Sequence, residues 1–244
     1  MRAMILAAGF GRRLRPLTDR VPKPLVTVGG HPLIAYPLAL LRAAGIREVI
    51  INLHHLGGQI RAAPVPSAAY GVAITYLEEA PILETGGAIK NAERFLSGDR
   101  FVVLNSDTIC DLDLRAVIGW HEARGALATM VLRPDREAAH YGLIEVDASS
   151  RIRRFLGRPA AVDAPLTPLM FAGVHVFEPQ VFACMDAGRF GINSVTYPRM
   201  LAAGRPLYGY PFSGYWRVLD THAGLAEGRW ELQTDDCLAP RHRP

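Results

Sequence analysis

Five short apolar runs punctuate the first half of the chain and leave few folds open. They are "AMILAA" (3–8), "EVIINL" (48–53), "VAITYL" (72–77), "FVVLN" (101–105) and "ALATMVL" (126–132). Each is too short for a buried helix and too continuous for a strand with one wet face. Between them lie stretches with helical spacing: "PLIAYPLALLRAAG", closed by Gly45 as a C-cap, "TGGAIKNAERFL", and "DLRAVIGWHEARG", opened by Asp113. Fully apolar strands separated by helices predict a mostly parallel sheet covered on both faces, an α/β fold. Ligands on such sheets sit beyond the carboxyl ends of the strands.

Past about residue 135 the pattern changes. "YGLIEVDASSRIRRFL" reads as a hairpin turning at Asp147–Ser150, followed by a strand in "LMFAGVHVFEP". "NSVTYPRMLAAG" reads as a helix, "PLYGYP" and "GYWRVL" as short strands, and "THAGLAEGRW" as a helix. The tail, "TDDCLAPRHRP", is polar and proline-flanked and is expected to fray.

The totals exclude several classes. The 244 residues, half apolar and a fifth charged, suit a soluble globule with a substantial core. A net charge of +4, spread along the chain and without interleaved aromatics, argues against nucleic acid and suits small polyanions. No apolar run reaches the length of a membrane span, and "MRAMILAAG" reads as a buried first strand. Three cysteines without close pairing (Cys110, Cys184, Cys237) fit a reducing cytoplasm.

The densest chemistry lies in "LAAGFGRRLRPLTDRVPKPL", 6–25. A strand runs into Gly9-Phe10-Gly11 and then a basic loop. Glycines let backbone N–H groups approach phosphate oxygens, although a tight strand-to-loop turn would demand the same residues. Leu14 stands where a dinucleotide fingerprint needs its third glycine, and no Gly-Lys-Ser/Thr follows. Of 27 basic residues only Lys23 and Lys90 are lysine, so a lysine held between Pro22 and Pro24 is a choice of chemistry. Arginine offers a fork to phosphate oxygens, lysine a compact point charge, and flanking prolines limit the freedom lost in aiming it.

"LAAGFGRRLRPLTDRVPKPLVTVGGHPLI" resembles the signature of the sugar-1-phosphate nucleotidyltransferases, also called nucleoside-diphosphate-sugar pyrophosphorylases. The likeness continues through "PILETGGAI", "LNSDTICDLDL", "HYGLIEVD" and "FAGVHVF" to about residue 225. It implies a Rossmann-like, GT-A-like fold: one domain over 1–230, with a nucleotide-binding half to about 135, a β-rich sugar-binding half from about 136, and a flexible 231–244. It implies a Mg²⁺-dependent reaction in which a sugar 1-phosphate oxygen attacks the α-phosphorus of a nucleoside triphosphate, UTP or GTP, and pyrophosphate leaves. The protein would be cytoplasmic, a monomer or homodimer.

By the same resemblance Arg13, Lys23 and Asp107 are the catalytic residues. Leu6, Ala8, Gly9, Gly11, Arg13, Glu84, Thr85, Gly86 and Gly87 would hold the nucleotide. Thr85-Gly86-Gly87 opens a helix whose N–H donors suit a base edge or an anion. Glu84 stands where many members have glycine, a form resembling the N-acetylmuramate 1-phosphate uridylyltransferases. Gly142, beside Tyr141, and Gly173 would lie against the sugar. Arg158 would stand on the sugar phosphate, in "FLGRP" where many members carry Glu-Lys-Pro. Asp107 would bind the metal, with Ser106 in place of the usual glycine before it.

One departure matters for the reaction. The family's Trp-x-Asp-x-Gly-Thr reads here "YWRVLDT", which puts Val218 at the second metal position and Asp220 two residues on. An extended backbone would turn both to one face, so Asp220 could take the ligand's place, or it could instead cap the following helix. Two readings follow: a working nucleotidyltransferase, or a non-catalytic relative that binds nucleotide as a regulator. Histidines 54, 55 and 121 have no metal-ligand spacing and read as satisfied or surface residues.

Overall fold

The computed structural model describes residues 1–63, 71–135, 143–159, 161–234 and 237–244. In chain order the strands are β1 (Arg2–Leu6), β2 (Thr27–Val28), β3 (His31–Pro32), β4 (Glu48–Leu53), β5 (Ala73–Glu78), β6 (Phe101–Asn105) and β7 (Thr108–Cys110). They continue with β8 (Ala128–Arg133), β9 (Ile144–Val146), β10 (Ile152–Phe155), β11 (Thr167–Phe177), β12 (Leu207–Pro211) and β13 (Trp216–Val218). The chain forms two compact units: Met1–Ile82 with Val103–Leu114 and Gly214–Pro244, and Leu83–Val102 with Arg115–Ser213.

The first unit carries the parallel sheet. β1 pairs with β4 and β4 with β5, both parallel, and β6 lies on the other side of β1. Ala3, Met4 and Ile5 are fully buried, as are Val49 and Leu53, which is why these runs show no polar alternation. The helix Ala35–Ala44 buries its first seven residues, and Gly45 ends it in the left-handed region at φ 84° with the carbonyls of Leu41 and Arg42 capped. A second apolar cluster (Leu14, Val26, Leu33, Tyr36, Ile109, Leu219, Leu225 and Leu238 among its members) gathers the basic loop, β7 and the C-terminal helix His222–Thr234.

That cluster holds the end of the chain, which composition predicted to fray. Leu238 is buried, the Ala239 N–H donates to Asp111 Oδ1 (2.9 Å), and buried His242 meets the same oxygen at 2.6 Å. These contacts hold the Asp111 carboxyl below the ordinary range against the opposing effect of its burial.

The second unit is mixed. β8 pairs antiparallel with β11 and parallel with β12, while β9 joins β11 and β10 antiparallel. The predicted hairpin is present: the Asp147 carboxylate accepts the N–H groups of Ser149 and Arg151 and closes the β9–β10 turn. The helix predicted in "NSVTYPRMLAAG" opens differently, as a π-turn over Ile192–Thr196, and becomes α-helical only over Tyr197–Ala202. Pro198 supplies no N–H, so a regular ladder cannot run through it. Both units together make a mixed α/β protein.

Candidate active site

The basic loop after β1 is pinned from several directions. Three single-turn 3₁₀ helices, Arg12–Leu14, Leu17–Asp19 and Lys23–Leu25, each bury one side chain: Leu14, Thr18 and Pro24. Gly11 sits at φ 62°, and a Cβ there would lie 2.8 Å from Thr18 Cγ2 and 3.3 Å from Lys23 Cβ. Its carbonyl accepts the Leu14 N–H (2.9 Å) and the Thr18 hydroxyl (2.8 Å). Glycine is therefore required here twice, by conformation and by space. Gly9 has open space around it and is exposed, as a backbone meant to face a ligand should be. Leu6 is half-buried and Ala8 buried.

Residues outside the motif hold the loop. Asn52, a lone polar residue in the apolar run of β4, is buried; its Oδ1 accepts the Ala7 N–H at 2.8 Å and its Nδ2 donates to buried Glu79 at 2.7 Å. His54 meets the Glu79 carbonyl and His55 the Thr18 carbonyl, each at 2.8 Å. His222 reaches the Arg15 carbonyl at 2.9 Å. These histidines are loop anchors. Asn52 went unread as a site residue, although an amide inside a buried strand must have a partner to satisfy.

Two cation–carboxylate pairs lie in the first unit. Lys23 Nζ, between two buried prolines, donates to Asp107 Oδ2; both side chains are largely withdrawn from water. Arg13 Nη2 lies 2.6 Å from Asp220 Oδ2, the arginine exposed and the aspartate buried. β13 runs antiparallel to β7 with Val218 opposite Thr108, and the Leu219 N–H donates to the Asp107 carbonyl at 2.9 Å. That bond sets the chain carrying Asp220 directly against the chain carrying Asp107.

The choice left open for Asp220 resolves against a helix cap. The Thr221 hydroxyl accepts the Gly224 N–H (3.1 Å) and so caps the helix that begins at His222. Asp220 remains committed to Arg13. β13 is fixed in turn by Glu231, which accepts from Arg217 Nε (2.8 Å) and from the Tyr215 hydroxyl (2.9 Å). The hydrogen bonds from Arg217 hold the Glu231 carboxyl below its ordinary range, and burial pushes the Tyr215 hydroxyl well up.

In the second unit the helix opened by Thr85-Gly86-Gly87 has its first donors engaged. The N–H groups of Gly86 and Gly87, expected to be free for a ligand, both donate to the Phe190 carbonyl (2.9 and 3.0 Å). A Cβ on Gly86 would lie 2.2 Å from the Phe190 ring, and one on Gly87 would lie 2.2 Å from the Gly188 carbonyl. These glycines admit the 188–192 segment, and Thr85 Oγ1 accepts the Ile192 N–H at 3.0 Å. Glu84 takes φ 61°, a region that favours glycine, and is paired with Arg189 at 2.9 Å. Gly173 takes φ 88° within the register shift of β11 between Phe171 and His175, a bulge. Arg158 closes a two-residue turn after β10. Gly142 and Tyr141 lie outside the described residues. His121 is fully buried and satisfied by Thr129 (2.8 Å) and Glu178 (3.3 Å).

The donor chemistry of the first unit fits a hard divalent cation. Mg²⁺ takes one or two carboxylates, with phosphate oxygens and water completing the shell. Asp107 and Asp220 are such a pair, and each already balances positive charge. Among the described residues no group of three or more potential ligands could hold a metal without a substrate's help. No helix among them is long and apolar enough to cross a membrane.

The nucleotidyl transferase family model matches residues 2–234. The chain belongs to the nucleotidyl transferase family. Among relatives of this family, the N-acetylmuramate alpha-1-phosphate uridylyltransferase of Neisseria meningitidis is 40% identical over 94% of this chain and 97% of its own length. The mannose-1-phosphate guanyltransferase of Yarrowia lipolytica is 35% identical over 88% of this chain, which spans 60% of that enzyme's length. The crystal structure of HddC from Yersinia pseudotuberculosis, complexed with GMP-PN, superposes with a TM-score of 0.78 at 20% identity, covering 94% of this chain and 98% of the other. The likeness bears out the expected nucleotidyltransferase fold, a mixed α/β architecture on a mostly parallel sheet.

Proposed function

We propose that this protein joins a sugar 1-phosphate to a nucleoside triphosphate, forming a nucleoside-diphosphate sugar and releasing pyrophosphate. The observation that carries the reading is Lys23, held between buried prolines against Asp107, at the mouth of a glycine-led loop whose Arg13 pairs with Asp220. Phosphoryl-type transfer is catalysed by placing positive charge where negative charge develops, on the attacked phosphorus and on the leaving group. Lys23 serves the α-phosphate. Arg13 holds the β- and γ-phosphates that leave as pyrophosphate, and the backbone at Ala8, Gly9 and Gly11 lies along the triphosphate.

Asp107 and Asp220 would hold Mg²⁺, which would supply positive charge to the triphosphate and its leaving group. In the free protein each carboxylate neutralises the cation that the substrate will use. On substrate binding Lys23 and Arg13 would pass from these carboxylates to the phosphates, which would leave Asp107 and Asp220 available to hold the cation. The pairs thus keep Lys23 and Arg13 aimed before substrate arrives, which lowers the ordering cost of the reactive complex.

The relatives support UTP or GTP as the nucleotide. The extent and identity of the match to the uridylyltransferase favour UTP with N-acetylmuramate 1-phosphate. The test is pyrophosphate release with Mg²⁺ across UTP, GTP, ATP and dTTP, each with N-acetylmuramate, glucose and mannose 1-phosphates. Turnover with one pair names the substrates. Tight nucleotide binding with no release from any pair would turn the assignment to a non-catalytic, nucleotide-binding relative.

A further inference from the structure

One buried side chain ties together the carboxyl ends of three parallel strands. β1 pairs with β4 as far as Leu6 opposite Asn52, and β4 with β5 as far as Leu53 opposite Glu78. Ala7 and Glu79 are the first residues past those ladders, and the Asn52 side chain bonds both. Its Oδ1 accepts the Ala7 N–H at 2.8 Å, and its Nδ2 donates to Glu79 Oε1 at 2.7 Å. All three residues are buried, so water does not compete for these bonds.

The direction of the bonds is set from the β5 side. The Glu79 backbone is anchored to β4 and the residue after it: its N–H donates to the Leu53 carbonyl, and its carbonyl accepts from His54 Nδ1, each at 2.8 Å. A carboxylate oxygen accepts and does not donate, so the amide turns its NH₂ to Glu79. That leaves the amide oxygen for Ala7, whose N–H has left the β1–β4 ladder and needs an acceptor. An amide supplies the donor and the acceptor this position needs at once. Leucine would supply neither, and aspartate would set a second carboxylate against Glu79.

The consequence lies one residue further on. Ala8 and Gly9 follow Ala7 directly, and Gly9 is exposed with open space around it, so its place is set through the chain on either side. The far end of this stretch is held at Gly11, whose carbonyl takes the Leu14 N–H and the Thr18 hydroxyl. The near end is held at Ala7 by Asn52. Between these two anchors runs the backbone that the proposed function lays along the triphosphate. Backbone donors hold phosphate only from the right position, and a displacement of about 1 Å can cost large factors in rate.

We propose that Asn52, oriented by Glu79, is a positioning residue for the triphosphate: through the Ala7 N–H it sets where the backbone from Ala8 to Gly11 meets the phosphate oxygens. The proposal rests on the reading of this loop as the triphosphate site. Asn52 acts through Ala7, and Glu79 acts through Asn52.

Inorganic tripolyphosphate is the probe, because it presents the phosphates without base or sugar. Isothermal calorimetry on the full chain would compare wild type with Asn52→Asp, the double variant Asn52→Asp/Glu79→Gln, Ile51→Ala and Arg13→Ala. Asn52→Asp keeps the acceptor for Ala7 and loses the donor to Glu79, so binding should weaken about tenfold or more. The double variant restores the pattern in reverse: the aspartate accepts from Ala7, the glutamine donates to the aspartate, and the net charge equals that of wild type. Its binding should return to within about threefold of wild type. Ile51→Ala truncates a buried residue of the same strand, so it lowers stability and should leave binding unchanged. Circular dichroism shows the temperature at which every variant is folded, and Asn52→Ser replaces Asn52→Asp should that variant not fold. Wild-type affinity in Asn52→Asp, no recovery in the double variant, or equal weakening in Ile51→Ala would overturn the proposal while Arg13→Ala still binds weakly. Binding that is absent from wild type, or indifferent to Arg13→Ala, would instead remove the triphosphate reading of the loop, and the proposal with it.

Discussion

At the scale of single residues, function rests on which partner each charge keeps. Lys23 and Arg13 are balanced by Asp107 and Asp220, and Thr221 takes the capping role that Asp220 could have filled. This separates two neighbouring substitutions. Asp220→Ala is expected to reduce turnover about tenfold or more and to raise the Mg²⁺ concentration needed for half-maximal rate. Thr221→Ala is expected to cost about 1 kcal/mol in urea unfolding, with the Mg²⁺ dependence unchanged. An Asp220→Ala enzyme with a wild-type Mg²⁺ titration would remove the aspartate from the metal site. Gly11→Ala should lower the unfolding midpoint by the equivalent of about 1–2 kcal/mol, and impair activity, because it adds the left-handed penalty to a clash with Thr18. An unchanged midpoint would show that the loop adapts.

The motif residues of the loop were legible because glycine, proline and a rare lysine each carry a local meaning. The partners of the Gly86 and Gly87 N–H groups were hidden for the opposite reason. The meaning of these glycines lies in Phe190 and Gly188, about a hundred positions away, and no local pattern announces that contact. Asn52 shows an intermediate case, since the sequence exposes an amide in a buried strand and hides its partners, Ala7 and Glu79.

At the scale of elements, the apolar runs located β1, β4, β5, β6 and β8, and Gly45 marked the end of its helix, because burial and capping act within a few residues. The π-turn before Tyr197 has one local cause, Pro198, and others that no local pattern shows: Thr85 binds the Ile192 N–H, and Tyr197 is fully buried with its hydroxyl 2.6 Å from His175 Nδ1. That histidine gives a pH prediction. Burial among Phe171, Phe177 and Tyr197 lowers its pKa to about 3. In the unfolded chain the ring titrates near its ordinary value of about 6.5, so below that pH the unfolded state binds the extra proton. Stability from this group is complete above about pH 6.5 and falls progressively toward pH 3, by up to about 1.4 kcal/mol per pH unit. Urea unfolding of wild type and His175→Gln between neutral and mildly acidic pH measures it, with the shallower slope expected in the variant. Equal slopes would assign the acid sensitivity to other groups.

At the scale of the whole molecule, the chain is built discontinuously. Residues 103–114 and 214–244 return to the unit that begins the chain, and this brings Asp107 and Asp220 to Lys23 and Arg13. A division near residue 135 was the natural reading of a linear sequence, because hydrophobic patterning shows where elements lie and not which distant segments rejoin. The net charge of +4 acts at this scale too. Added salt should raise KM for the triphosphate while leaving kcat nearly constant, because screening weakens the approach of a polyanion more than the chemistry within the site. A kcat that fell with KM unchanged would place the salt effect on the chemical step.

The proposed chemistry rests above all on Lys23 supplying charge to the reacting phosphate. The direct measurement is the rate of pyrophosphate release by Lys23→Ala against wild type, at saturating Mg²⁺ and with the preferred substrate pair. A loss of about 10²–10³ in kcat is expected from a variant that still folds and still binds nucleotide. A rate within a few-fold of wild type would contradict it.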